Sequence, residues 1–192
     1  PYPSREFFYL LGRELAEIAS EDGILTSAYK AKVPLFCPAI ADSSIGIGLA
    51  VSRVERKTVF QFDVTQDVIE ISHIVARAPK TGIICFGGSS PKSFLEQAQI
   101  TASMLKATVK GHQYAIQVIT EPPYFGSLSG ATFEEAQSWG EIAKGAQTVT
   151  VHCDVTIAMP MLVTALAQGA AKEAKIRRRP LFTLGRELKV LY

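Results

Sequence analysis

Apolar residues recur at helical spacing after Ser4: Phe7, Phe8, Leu11, Leu15 and Ile18 share one face and predict a helix over about residues 5–19. Asp22-Gly23 breaks that pattern. A shorter helix over about residues 24–30 leads into VPLFCPA, a proline-bounded apolar run that suits a buried strand ending near Pro38. The small-residue turn Asp42-Ser43-Ser44-Ile45-Gly46-Ile47-Gly48 enters another helix and is a first candidate ligand loop. TVFQF, residues 58–62, is a short β-prone run. Asp63 then caps a helix whose Val64, Val68, Ile71, Ile74 and Val75 face one way until Pro79 ends it. TGIICFGG, residues 81–88, is a fully apolar strand stopping on paired glycines, and Ser90-Pro91 opens the next helix. YAIQVI (114–119) and TVTVHC (148–153) predict two further strands. Asp154 follows the second of them, and Pro160 places the start of the last long helix near Met159, with proline in the first turn.

The segment between those two strands, TEPPYFGSLSGATFEEAQSWGEIAK (120–144), organises the chain. Pro122, Pro123, Gly126, Gly130 and the serines between them forbid regular structure until about Ala131, which makes an irregular loop on a rigid frame. Thr132 with Glu135 forms a capping box. The helix it starts, over about residues 133–144, puts Glu134, Ser138 and Glu141 near one face and Glu135 and Trp139 on the neighbouring stripe.

Alternating strands and helices predict an α/β fold with a mainly parallel sheet and helices on both faces. Asp42, Gly87-Gly88, Thr120-Glu121 and Asp154 all follow strands, so they are expected on the carboxyl edge, where open α/β sheets bind ligands. Glycines, serines and a helix start after the strand at 81–88 make either an anion cradle or merely a tight packing turn. We read one domain over residues 1–192 with a C-terminal extension over 172–192; the repeated LGREL is too short to be an internal repeat.

Composition changes this picture little. Hydrophobic residues at 47% and charged residues at 20% fit a folded α/β chain, and a net charge of +2 argues for neither a nucleic-acid nor a membrane partner. Arg177-Arg178-Arg179 follows a helix and suits its solvated end. Cys37, Cys85 and Cys153 lie in apolar runs without metal spacing, as in a reduced, cytoplasmic protein, and the three histidines are scattered. Pro1 stands where a methionine is expected, so a natural N-terminal segment is anticipated upstream.

Four stretches together resemble the deoxyhypusine synthase family: SGATFEEAQSWG, PLFCPAIADSSIG, GIICFGGSSPK and VTVHCDVTIAMPMLVTALA, over about residues 4–170. The resemblance implies a Rossmann-like NAD-binding fold, a homotetramer with active sites between paired subunits, and aminobutyl transfer from a polyamine such as spermidine. In that chemistry NAD oxidises the amine to an imine, an enzyme lysine takes the butylimine, and an acceptor amine receives it before reduction. Position by position, it places Asp42, Gly87, Gly88, Thr120 and Asp154 at the NAD site, with Glu121 on the same cofactor edge, and Glu135 and Trp139 in the amine pocket.

This chain departs from the family at telling positions. SWGEI stands where the family has SWGKI, so the imine-forming lysine falls on Glu141. The polyamine-holding acids fall on Ile47 and Leu128, the family histidine on Ser93, and a cofactor-contacting aspartate on Phe125. A carboxylate forms no Schiff base, so a covalent route through position 141 is closed, and nothing in the pattern marks Lys144 as its substitute. Glu141 can instead pair with a cationic amine or accept a proton where burial raises its pKa. On the residues alone, Glu135 reads as a capping partner more readily than a site residue and Trp139 as core more readily than pocket, Asp154 reads equally as a cap or a site residue, and Glu141 as a solvated helix position. With the resemblance, the expected activity is NAD-dependent aminobutyl transfer to a small amine, as in homospermidine formation. The other readings are modification of a protein lysine and a non-catalytic homologue that binds NAD or polyamine.

Overall fold

A computed structural model describes residues 1–125 and 131–192, with the backbone alone at Phe125. Gly126, Leu128, Ser129 and Gly130, named above, lie outside the described residues. In chain order the first elements are α1 (Ser4–Ile18), α2 (Ile24–Ala31), α3 (Ser44–Arg56), α4 (Val64–Arg77) and β1 (Gly82–Phe86). Then follow α5 (Ser89–Met104), β2 (His112–Ile119), a 3-10 turn (Pro123–Phe125), α6 (Phe133–Trp139) and β3 (Ile142–His152). The chain closes with α7 (Val155–Gly169), α8 (Ala171–Ile176), β4 (Leu181–Leu184) and β5 (Leu188–Leu191). Two compact units result, Pro1–Ile71 with Pro180–Leu191, and Ser72–Arg179 with Tyr192.

The first unit is built around Asp67 and Glu70. The Asp67 carboxylate accepts the backbone N–H groups of Ser4 (2.9 Å) and Arg5 (3.2 Å), satisfying donors that the first turn of α1 leaves open. Arg5, fully buried, grips Glu70 through Nε (2.8 Å) and Nη2 (2.7 Å) and donates Nη1 to the Gly185 carbonyl (2.6 Å). That last bond ties α1 to the antiparallel β4–β5 hairpin, which the hydrophobic pattern does not reveal. Residues 33–38 form no strand, contrary to the expectation for VPLFCPA. Two prolines deprive the run of ladder donors, and the Cys37 N–H goes to Ser4 Oγ instead (2.8 Å). The 58–62 run likewise makes only an isolated bridge, Phe62 to Tyr2, because its aromatic rings pack with Phe7 and Tyr2 at centroid distances of 5.1–5.3 Å.

The second unit holds a parallel sheet in the order β1-β2-β3, registered from Gly82 beside Tyr114 to Ile119 beside His152. Buried Ile83 and Cys85 alternate with exposed Ile84 and Phe86 along β1. The buried residues meet Ala115, Phe133, Ala136 and Ile142, with Leu95 against them, so α5 and α6 share one apolar core with the sheet. A mainly parallel sheet flanked by helices is the expected class, consistent with a Rossmann-like NAD-binding fold. Among the described residues no helix is long and apolar enough to cross a membrane.

Two helix boundaries differ from expectation. The helix expected over 133–144 stops at Trp139, because Gly140 takes the left-handed conformation (φ +84°) and the Glu141 N–H closes back on the Ala136 carbonyl (3.0 Å). Glu141 is therefore not helical, and β3 begins six residues earlier than Thr148, at Ile142. The last long helix starts at Val155, not near Met159, and carries Pro160 inside it. Asp154 fixes that start by accepting the Thr156 N–H (2.8 Å) and hydroxyl (2.6 Å). A break at Ala170 separates α7 from α8.

Replacing Arg5 by leucine leaves the Glu70 carboxylate buried without its fork. Chemical denaturation of Arg5→Leu is expected to show a loss of about 3–5 kcal/mol; a loss below about 1 kcal/mol contradicts a supporting role for this pair.

Candidate functional site

Parallel pairing brings three post-strand turns to one edge. The Gly87 N–H bonds to the Val118 carbonyl (2.8 Å), and the Cys153 N–H to the Ile119 carbonyl (3.2 Å). Gly87-Gly88, Thr120-Glu121 and Asp154 thus follow β1, β2 and β3 along the carboxyl edge. Gly87 has φ +85°, which favours glycine, and a Cβ built there meets no atom within 4 Å. Open space therefore lies beside this backbone, and α5 starts next to it with no side-chain cap at Gly88. A turn of this kind suits the close approach of a phosphate-bearing ligand such as NAD. Asp154 is exposed, and its hydrogen bonds from Thr156 hold its carboxyl below the usual carboxylate range. Asp42 belongs to the first unit; it is exposed and stands just before Ser43, whose Oγ caps α3 by accepting the Gly46 N–H (3.0 Å).

Glu135 and Trp139 lie on α6. The capping box is realised, with the Thr132 N–H to Glu135 Oε2 at 2.7 Å and the Glu135 N–H to Thr132 Oγ1 at 3.3 Å. Glu135 thus fulfils the capping role that its spacing suggests. Trp139 is 72% exposed, contrary to a core reading, and borders a cavity of about 410 Å³ with Gln99, Met104, Lys110, Ile142 and Lys144. That cavity lies toward the amino ends of the strands. Glu141 stands between two of its lining residues, Gly140 and Ile142, without lining it, and its carbonyl accepts the His112 N–H (2.8 Å) at the start of β2. His112 itself is a satisfied core residue, with Nδ1 beside Thr81 Oγ1 (2.9 Å) and Nε2 beside the Leu95 carbonyl (3.1 Å). Burial holds its pKa down.

Two charged residues that pattern reading passed over sit inside this unit. Lys92 and Glu96 are 2% and 4% exposed, and their Nζ and Oε1 stand 3.8 Å apart. Burial pushes Glu96 up to about 7, against the pull of Lys92 and with the Glu141 carboxylate adding to the rise. Glu141, partly buried, is also raised by burial and opposed by Lys92. Burial lifts the Cys85 thiol to about 11, again with Glu96 raising and Lys92 lowering it. Lys92, Glu96 and Glu141 therefore share one field. The available signal was helical spacing: residues 92, 95, 96, 99 and 102 fall on one face of α5, and most of that stripe is buried.

Comparison with known proteins bears on this arrangement. The family model described as deoxyhypusine synthase matches residues 2–166. A probable deoxyhypusine synthase 2 of Methanosarcina acetivorans is 49% identical over 164 residues, covering 85% of this chain and 47% of that protein. Its counterpart from Archaeoglobus fulgidus is 46% identical over 163 residues, 85% of this chain and 53% of that protein. A deoxyhypusine synthase-like protein of Elusimicrobium minutum is 37% identical over 169 residues, 87% of this chain and 44% of its own. The chain spans about half the length of the curated relatives it matches.

Glu96 makes a distinct pH signature. Its carboxyl ionises near 4.5 in the ordinary state and near 7 when folded, so between those values the folded chain holds the extra proton. Stability falls as pH rises through that window. From about pH 4.5 to about pH 8, the stability difference between Glu96→Gln and the unsubstituted protein should shift toward the variant by on the order of 3 kcal/mol. A difference that stays flat in urea titrations across that range contradicts the buried carboxyl.

Proposed function

The chain belongs to the deoxyhypusine synthase family, and on that premise we propose that the protein carries out NAD-dependent aminobutyl transfer from a polyamine such as spermidine. The observation that supports this most is the carboxyl edge, where Gly87, Thr120, Glu121 and Asp154 follow adjacent parallel strands beside an open turn. The family and the Rossmann-like sheet are both consistent with NAD as cofactor; when bound, NAD supplies the hydride acceptor for amine oxidation. The chain's own residues then have separate tasks. Gly87 and Gly88 admit the phosphates at the carboxyl edge, and Glu135 at the start of α6 receives the amine. Trp139 at the other end of α6 lies toward the amino ends of the strands and bounds the amine site from there, and Glu141 handles charge or a proton.

We read the acceptor as a protein lysine on the hypusine-bearing translation factor, because the similar archaeal proteins carry the name deoxyhypusine synthase. Glu141 supports a second reading, transfer to a small amine as in homospermidine formation. No lysine-bound imine can form at that position, and a half-buried carboxyl with a raised pKa is suited to taking a proton from an attacking amine. In both readings the site is completed between paired subunits of a homotetramer. Exposed Ile84, Phe86 and Tyr114 on the sheet and Ile157, Met161 and Val163 on α7 leave apolar surface for such contacts.

Incubating the protein with NAD, labelled spermidine and either the translation factor or putrescine separates these outcomes by mass spectrometry. Label on the factor is the expected result; label on putrescine selects the small-amine reading. No label on either, together with activity restored by Glu141→Lys, overturns catalysis by the natural protein and leaves a binding homologue.

A further inference from the structure

We propose that the buried Lys92–Glu96 pair is a positioning device that fixes the entry of α6, and with it Glu135 and Trp139, relative to the Gly87-Gly88 turn. The inference rests on the functional reading above only in treating α6 as part of the amine pocket. Lys92 lies in the first turn of α5, four residues after Gly88, and its Nζ donates to the carbonyl of Ala131, 39 residues further along the chain. Ala131 directly precedes Thr132, the cap of α6. The same ammonium stands 5.4 Å from the centroid of the Phe133 ring, the first helical residue. One side chain thus holds both the carbonyl before the cap and the ring after it.

Stability alone gives a poor account of this pair. Removing two charges from water costs several kcal/mol per ion, and apolar residues of similar volume usually fill such space as well or better. The geometry is also loose for an ion pair, at 3.8 Å, and Glu96 Oε1 has no hydrogen-bond partner among the described residues. An apolar pair would pack, but it could not aim a donor at one carbonyl. Direction matters here because α6 has only seven residues, too few to hold its own orientation by helix propensity. Glu96 accompanies the buried ammonium and supplies its counter-charge once its carboxyl ionises, and Glu141 and Cys85 are the other titratable groups in its field. Lys92 acts through the backbone of Ala131, so it is a positioning residue and not a catalytic one.

The test is hydrogen–deuterium exchange by mass spectrometry on Lys92→Met and Glu96→Gln, with dissociation constants for NAD and spermidine measured on the same samples. For Lys92→Met, exchange over residues 131–139 should accelerate by about tenfold or more while β1 and β2 stay within about twofold. Its spermidine dissociation constant should rise by about tenfold with that of NAD within about twofold. Glu96→Gln should give a smaller acceleration, about threefold, confined to the same residues. Unchanged exchange over 131–139 overturns the proposal, and so does an equal acceleration of helix and sheet, which marks simple loss of stability. Should Lys92→Met fail to fold, Glu96→Gln decides by the same criteria. If the unsubstituted protein binds no spermidine, the amine-transfer reading fails, and the exchange pattern still judges the positioning role.

Discussion

The pairing of β2 with a parallel neighbour on each side is the constraint from which the rest of the second unit follows. Parallel strands point all their carboxyl ends one way, so three chemically unrelated turns arrive on a single edge without any contact specifying it. The crossovers that parallel pairing demands are α5 and α6, and their inward residues make one core with Ile83, Cys85 and Ala115. Gly87 can stay open to solvent because its backbone is already held by the Val118 carbonyl. The frame therefore supplies the rigidity, and the turns are free to supply chemistry.

Two buried ion pairs show how geometry decides what a charge does. Arg5 meets Glu70 with a planar fork, and its remaining donors reach backbone carbonyls, so charge and hydrogen-bonding capacity are both met. Lys92 is a point charge, and at 3.8 Å it leaves Glu96 Oε1 without a hydrogen bond. The consequence is visible in the carboxyl, whose pKa rises to about 7 despite a neighbouring cation. Arg5 closes a structure; Lys92 and Glu96 hold one element in place and keep a titrating group beside position 141.

Local chemistry was legible where it acts locally. The capping box of Thr132 and Glu135, the cap at Asp63 and the apolar strand before Gly87 each depend on residues within one or two turns, and each forms as expected. What pattern could not give depends on distant partners. Residues 33–38 look like a strand, but no strand pairs with them and Ser4 claims the Cys37 donor. Helical spacing extended α6 through Glu141, whereas the left-handed Gly140 and the pairing of β3 with β2 ended it at Trp139. Pro160 suggests a helix start near Met159, yet the double hydrogen bond at Asp154 fixes it four residues earlier, at Val155. Nothing in the local pattern singles out Lys92 and Glu96, because only the fold brings Ala131 and Phe133 against the Lys92 ammonium. The family motif points to the carboxyl edge as a cofactor edge, and the glutamate in place of its lysine at position 141 is legible at once, but the field around Glu141 is not.

The cofactor reading requires that the carboxyl edge around Gly87 receive NAD. Calorimetric titration of NAD into the protein, beside a Gly87→Asn variant, tests it most directly, since asparagine tolerates a left-handed backbone while filling the open space. Saturable binding by the unsubstituted protein and a loss of affinity of at least about tenfold in the variant are expected. Absent binding, or equal affinity in the two proteins, would contradict it.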